Sequence, residues 1–86
     1  MAKVIYADNK IEDVKPAEGE RFTQCEIASL VGGRSIERLE AGSKVIFTDG
    51  MSRLKSLRFN LKATIAAESC YIFGTAVICD KNEEPL

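Results

Sequence analysis

The stretch from Phe22 to Glu37 constrains the fold more than any other part of the chain, because it spells one short helix with both ends marked. Thr23 and Glu26 have the Thr-x-x-Glu spacing of a capping box, in which each side chain satisfies an orphan backbone donor of the other residue. Phe22 and Ile27 stand at the hydrophobic-staple positions, and Gly32 or Gly33 can supply the left-handed residue that ends the helix. A helix of about nine residues is marginal in isolation. It must therefore be held against a sheet through its apolar face of Ile27, Leu30 and Val31.

The rest of the chain supplies that sheet. Lys3 to Tyr6 and Lys10 to Val14 read as a hairpin closed at Asp8-Asn9. Ser35 to Leu39, Lys44 to Thr48 and Leu54 to Leu57 read as a three-strand meander, with turns at Glu40 to Ser43 and at Asp49-Gly50. Asn60 is placed to cap a second helix over Leu61 to Ala67, with Leu61, Ile65 and Ala66 on its apolar stripe. Gly74 leads into a final buried strand, Thr75 to Cys79. This order predicts an α+β fold: a mainly antiparallel sheet of five to six short strands with two short helices on one face. Residues 1–80 form the expected single domain, and 81–86 a polar, frayed C-terminal tail.

Composition narrows the function. The 86 residues include no histidine, which removes the commonest general base near neutral pH, the Ser-His and Cys-His pairs and the usual zinc ligand sets. No EF-hand spacing of acids is present, Glu37 and Glu40 are not spaced to face one another, and Ser29, Ser35 and Ser52 have no base beside them. The expectation is a protein that is not an enzyme and carries neither metal nor cofactor. Cys25, Cys70 and Cys79 lie among apolar neighbours without a C-x-x-C spacing, and read as small buried hydrophobes in a reducing compartment. No apolar run approaches the roughly 20 residues of a membrane span. The chain turns charged by Asp8, too soon for a signal sequence, so a cytoplasmic location is expected.

The formal net charge of −1 conceals an uneven distribution. Residues 34–62 carry seven basic groups against three acids, while residues 1–20 carry three against five and residues 63–86 one against four. Such asymmetry bears on partners rather than on fold.

The segment Glu26 to Glu37, which includes Val31, Gly32, Gly33, Ile36 and Glu37, resembles the "L-x-x-x-V-G-G-x-I-E" segment that marks a small family in phages and bacterial mobile elements, the domain of unknown function 3846. Val45 to Gly50, then Leu54, Leu57, Asn60, Ala63 and Thr64, is similar to that family's strand, turn and "L-x-x-L-P-x-N-x-x-A-T" run, and Ile72 to Ile78 to its closing strand. The likeness covers about residues 25–80, through structural glycines, an asparagine cap and core positions. Arg58-Phe59 replaces the family's proline-containing stretch, and Arg34-Ser35 stands where an aromatic residue often follows the glycines. The resemblance implies a small, non-enzymatic accessory protein of a phage or mobile element, of a kind that often antagonises host defence.

Candidate binding residues follow from charge and from this likeness. Arg53, Lys55, Arg58 and Lys62 are the densest basic cluster, and Phe59 among them could stack a base. Arg34 follows a glycine pair that could admit an anion or a partner backbone, although that pair also reads as a helix cap. Thr23, Glu26, Gly32, Gly33, Gly50, Asn60 and Gly74 read as structural, and Tyr6, Tyr71 and Phe73 as core aromatics. The leading expectation is a protein that binds and inhibits a host factor, or sequesters its small nucleotide signal, in a bacterial host cell. The alternative is a small nucleic-acid-binding regulator using residues 53–62. Reversing Arg53, Lys55 and Arg58 to glutamate is expected to abolish partner binding without unfolding the chain. An exposed sheet edge also predicts a homodimer or a higher closed assembly.

Overall fold

The computed structural model describes residues 2–51, 54–68 and 70–85. The first helix, α1 (Gln24–Val31), has both ends built as its sequence spells them. The Glu26 amide donates to Thr23 Oγ1 at 3.1 Å, and the Thr23 amide donates to Glu26 Oε1 at 2.9 Å. The second Glu26 oxygen accepts from the Ala17 amide at 2.8 Å, so one carboxylate fixes both the helix start and the loop before it. Gly32 takes the left-handed conformation, φ 84°, and its amide closes on the Ala28 carbonyl. Gly33 is required for a different reason: a Cβ there would lie 2.6 Å from Asp49 Oδ2.

Five strands form one antiparallel sheet: β1 (Ala2–Ile5), β2 (Ile11–Val14), β3 (Ile36–Ala41), β4 (Lys44–Asp49) and β5 (Ala76–Asp80). Their order is β2-β1-β5-β4-β3, so two local hairpins are joined by the strand that comes last in the chain. Val77 of β5 stands opposite Val4 on one side and Phe47 on the other.

The α+β class holds, but the second helix, α2 (Leu61–Ala67), lies on the face opposite α1. Successive strand residues point to opposite faces, and β1, β4 and β5 are apolar on both. Val4, Val45, Phe47, Val77 and Cys79 pack with Phe22, Ile27 and Val31 under α1. Ile5, Ile46 and Ala76 pack with Ala63, Ala67 and Ile72 under α2. A sheet apolar on two sides needs a cover on each.

Three further expectations are revised. Leu54 to Leu57 forms no strand: the Asp49 carboxylate accepts from the Met51 amide at 2.8 Å and from Lys55 Nζ at 2.7 Å, curling this segment into turns. The place beside β4 belongs instead to β5. Of the cysteines only Cys79 is buried, whereas Cys25 and Cys70 are exposed. The tail is docked: Lys81–Glu83 forms a 3-10 turn, the Phe22 amide donates to the Glu83 carbonyl, and Arg38 clasps the Glu84 carboxylate at 2.9 Å.

Asn60 holds α2 in place. Fully buried, it donates through Nδ2 to the carbonyls of Ile5 and Gly74, both at 2.8 Å, and accepts from the Ala63 amide at 3.1 Å. Its own amide donates to the Ile72 carbonyl. Asn60→Ala removes the cap and both Nδ2 bonds to the buried Ile5 and Gly74 carbonyls, a combined cost of about 3 kcal/mol. Urea unfolding should show that loss, with Asn60→Asp little better because it lacks the Nδ2 donors.

Candidate binding surface

The structure disperses the basic residues that sequence groups together. Lys55 lies in an ion pair with Asp49, whose side chain is 2% exposed. Lys62 reaches across to the β1–β2 turn, where Nζ donates to the Asn9 carbonyl at 3.1 Å. Arg58 and Arg34 are exposed, and Arg53 lies outside the described residues. Lys55 and Arg58 line a cleft of about 280 Å3 with Val31, Gly32, Asp49 and Gly74, but Arg34, Phe59 and Lys62 do not contribute to it.

This cleft is poorly built for an anion. It sits at the C-terminal end of α1, where the unpaired carbonyls carry the negative end of the helix dipole. Asp49 adds a full negative charge that already engages Lys55. That pairing holds the Asp49 carboxyl below its ordinary range, against the burial that raises it, and the Met51 amide adds to the lowering. Lys55 is therefore a structural cation. Charge reversal at Lys55 would bring a carboxylate against Asp49, so the expectation that its reversal leaves the fold intact does not stand.

Gly74 of the cleft, and Gly50 next to Asp49 in the chain, also have structural work. At Gly74, φ 80°, a Cβ would meet Leu57 Cδ1 at 2.7 Å, and the Gly74 amide donates to the Arg58 carbonyl at 2.6 Å. Gly50 donates to the Ser35 carbonyl at the same distance, closing the β3–β4 ladder.

A different surface is left open, in which Leu61, Ile65 and Tyr71 leave the core places that sequence assigned them while Phe59, a candidate from the start, stays exposed. The alanine face of α2, Ala63 and Ala67, is pressed on the sheet, and this turns Leu61 and Ile65 outward. Ile65 is 67% exposed, Tyr71 74% and Leu54 78%. Phe59 packs beside one of them: its ring lies 6.2 Å from Tyr71 and 5.6 Å, edge to face, from Phe73. Tyr71 borders one cleft with Thr64 and Glu68 of the α2 side, and another with Leu54 and Leu39. Tyr71 is thus the centre of an exposed apolar and aromatic strip, with Leu54 and Phe59 beside it and the Thr64–Glu68 side of α2, which also carries the exposed Leu61 and Ile65, bordering it. The signal that could have found it is the i, i+4 pair Ala63 and Ala67 following a cap with side-chain donors to spare. Small residues let a helix approach a sheet closely, and the cap sets its rotation.

Among the described residues no cluster of histidine, cysteine, aspartate or glutamate is placed to hold a metal ion, and no helix is long and apolar enough to cross a membrane. Glu37 and Glu40 point to opposite faces of β3. No family model, no curated protein and no solved structure matches the chain. The likeness to the phage and mobile-element family therefore rests on the residue segments quoted above.

The Asp49–Lys55 pair carries a pH signature. An unfolded aspartate titrates near about 3.9. The folded carboxyl titrates lower, so its stabilising contribution is complete above the unfolded value and is lost as pH falls through the folded one. Lys55→Ala should lower stability at pH 7 and flatten the acid limb of a stability-against-pH curve below about pH 4. Urea midpoints measured between pH 2 and 7 check both.

Proposed function

We propose that the protein is a non-catalytic binding protein of a phage or mobile element, and that it inhibits a host factor in the bacterial cytoplasm by covering part of that factor's surface. The observation that carries this reading is the exposed strip of Leu54, Phe59, Leu61, Ile65 and Tyr71. Contiguous apolar surface rimmed by polar groups marks interaction sites, and the centres of such sites are enriched in aromatic residues and arginine. Such a surface favours a partner that brings an apolar patch of its own.

The basic residues give less support to capture of a nucleotide. Phosphate recognition needs cations free to converge on one oxygen cluster. Here Lys55 is engaged by Asp49, and Lys62 by the Asn9 carbonyl. Binding to nucleic acid gains little from a chain of net charge −1, since its affinity comes largely from neutralising phosphates. The phage and inhibitory part of the reading rests on the family resemblance, and the choice of a protein surface on the strip.

Native recovery of the tagged protein from bacterial lysate, followed by intact-complex mass spectrometry, tests it. The expected result is a stoichiometric protein partner that is lost from a variant carrying Ile65→Glu and Tyr71→Ala. Both side chains are exposed, so the stability read from urea unfolding should move little, by about 0.5 kcal/mol per site. A partner retained undiminished by the folded variant would sink the strip as the site. A nucleotide-sized mass in place of a protein would turn the reading to signal capture, and RNA or DNA binding that falls steeply with salt would turn it to the nucleic-acid alternative.

A further inference from the structure

β3 lies at one end of the sheet, and among the described residues no strand pairs with its outer side. The Gly50 amide donates to the Ser35 carbonyl, which sets the phase of the ladder. In an antiparallel pair the hydrogen-bonded positions alternate. The odd-numbered residues of β3 therefore turn their amide and carbonyl groups toward β4, while Ile36, Arg38 and Glu40 turn theirs outward. An added antiparallel strand must place outward residue against outward residue. For a second copy related by a two-fold axis, this condition is met whenever the axis passes through a residue position.

Only two such axes engage five residues of each strand, those at Arg38 and Leu39. The axis at Arg38 sets arginine directly against arginine, which is destabilising. The axis at Leu39 sets Arg38 against the second copy's Glu40, and Glu40 against its Arg38, with leucine facing leucine between them. Arg38 and Glu40 share the α1 face, where they already form a chain of ion pairs with Glu84 and Lys81. Each copy brings two cations and two anions to that chain, so the joined network has no net charge. Leu39, half-buried on the opposite face, gains an apolar neighbour. The other sheet edge behaves differently. The Tyr6 amide donates to the Lys10 carbonyl, which turns Ile11 and Asp13 outward, and an axis at Glu12 or Asp13 opposes like carboxylates. One edge repels its own copy in these registers, and the other is self-complementary in one register.

We propose that the outer edge of β3 is the interface of a two-fold symmetric dimer of this chain, centred on Leu39, in which two five-stranded sheets join into one. The inference is independent of the apolar strip and of any host partner.

Sedimentation equilibrium of the purified chain, from micromolar to millimolar concentration, is the first test, and a dimer is expected. Arg38→Glu alone and Glu40→Arg alone each place like charges opposite, and should weaken self-association at least about tenfold. Mixed together, the two variants restore opposite charges at both positions, so a one-to-one heterodimer should form. Leu39→Cys in a background of Cys25→Ser and Cys70→Ser should cross-link on mild oxidation, because residues facing each other at a non-hydrogen-bonded position have Cα atoms about 4.5 Å apart, within disulfide range. A wild-type chain that stays monomeric at millimolar concentration overturns the proposal. So do single variants that dimerise as well as wild type, folded variants that stay monomeric when mixed, or a Leu39→Cys chain that does not cross-link.

Discussion

The side chain of Asn60 is the interaction on which the remainder of the structure depends. It binds three separate pieces of chain at once: the end of β1 at Ile5, the entry to β5 at Gly74 and the first turn of α2 at Ala63. Each bond is made in the interior, where a lost hydrogen bond is costlier than at the surface. A seven-residue helix has almost no stability of its own. Asn60 supplies its cap and its attachment through the same amide group.

The rotation of α2 follows from that attachment, and the open surface of the molecule follows from the rotation. Because the cap reaches down to β1 and β5, the helix approaches with Ala63 and Ala67 beneath it. Alanine permits a close approach but fills little space, and Ile5, Ile46 and Ile72 provide the bulk of that core. Leu61 and Ile65 are left outside, beside an aromatic group built on Phe59. The proposed contact surface is thus a by-product of how one cap orients one helix.

The legibility of the sequence tracks the range of the interactions involved. Thr23, Glu26, Gly32 and Asn60 were readable because a cap is made within three or four residues of its own position. The apolar runs of β4 and β5, Val45 to Phe47 and Ala76 to Cys79, are those of strands buried on both faces, and the expectation of both helices on one face overlooked that. The turns at Leu54 to Leu57 were not readable, since the residue that curls them is a buried carboxylate reaching Lys55. The same contact explains why a basic cluster in sequence is not a basic site in space. Hydrophobicity also misplaced Leu61 and Ile65, because burial in α2 was decided by fit and not by apolar content.

The position of β5 has a consequence for how the chain is made. The strand at the centre of the sheet is the last of the five to leave a ribosome. Until it arrives, the β1–β2 and β3–β4 hairpins have no shared partner, and each presents apolar side chains on both faces. Contacts between residues so distant in sequence are slow to form, because the intervening loop must be closed before they stabilise anything. A nascent chain halted before Ala76 is therefore two unsupported hairpins with uncovered strand edges, the form most exposed to aggregation and to proteolysis. The two hairpins can thus share a partner only once Ala76 to Asp80 has been made, so completion of the sheet is a single late event.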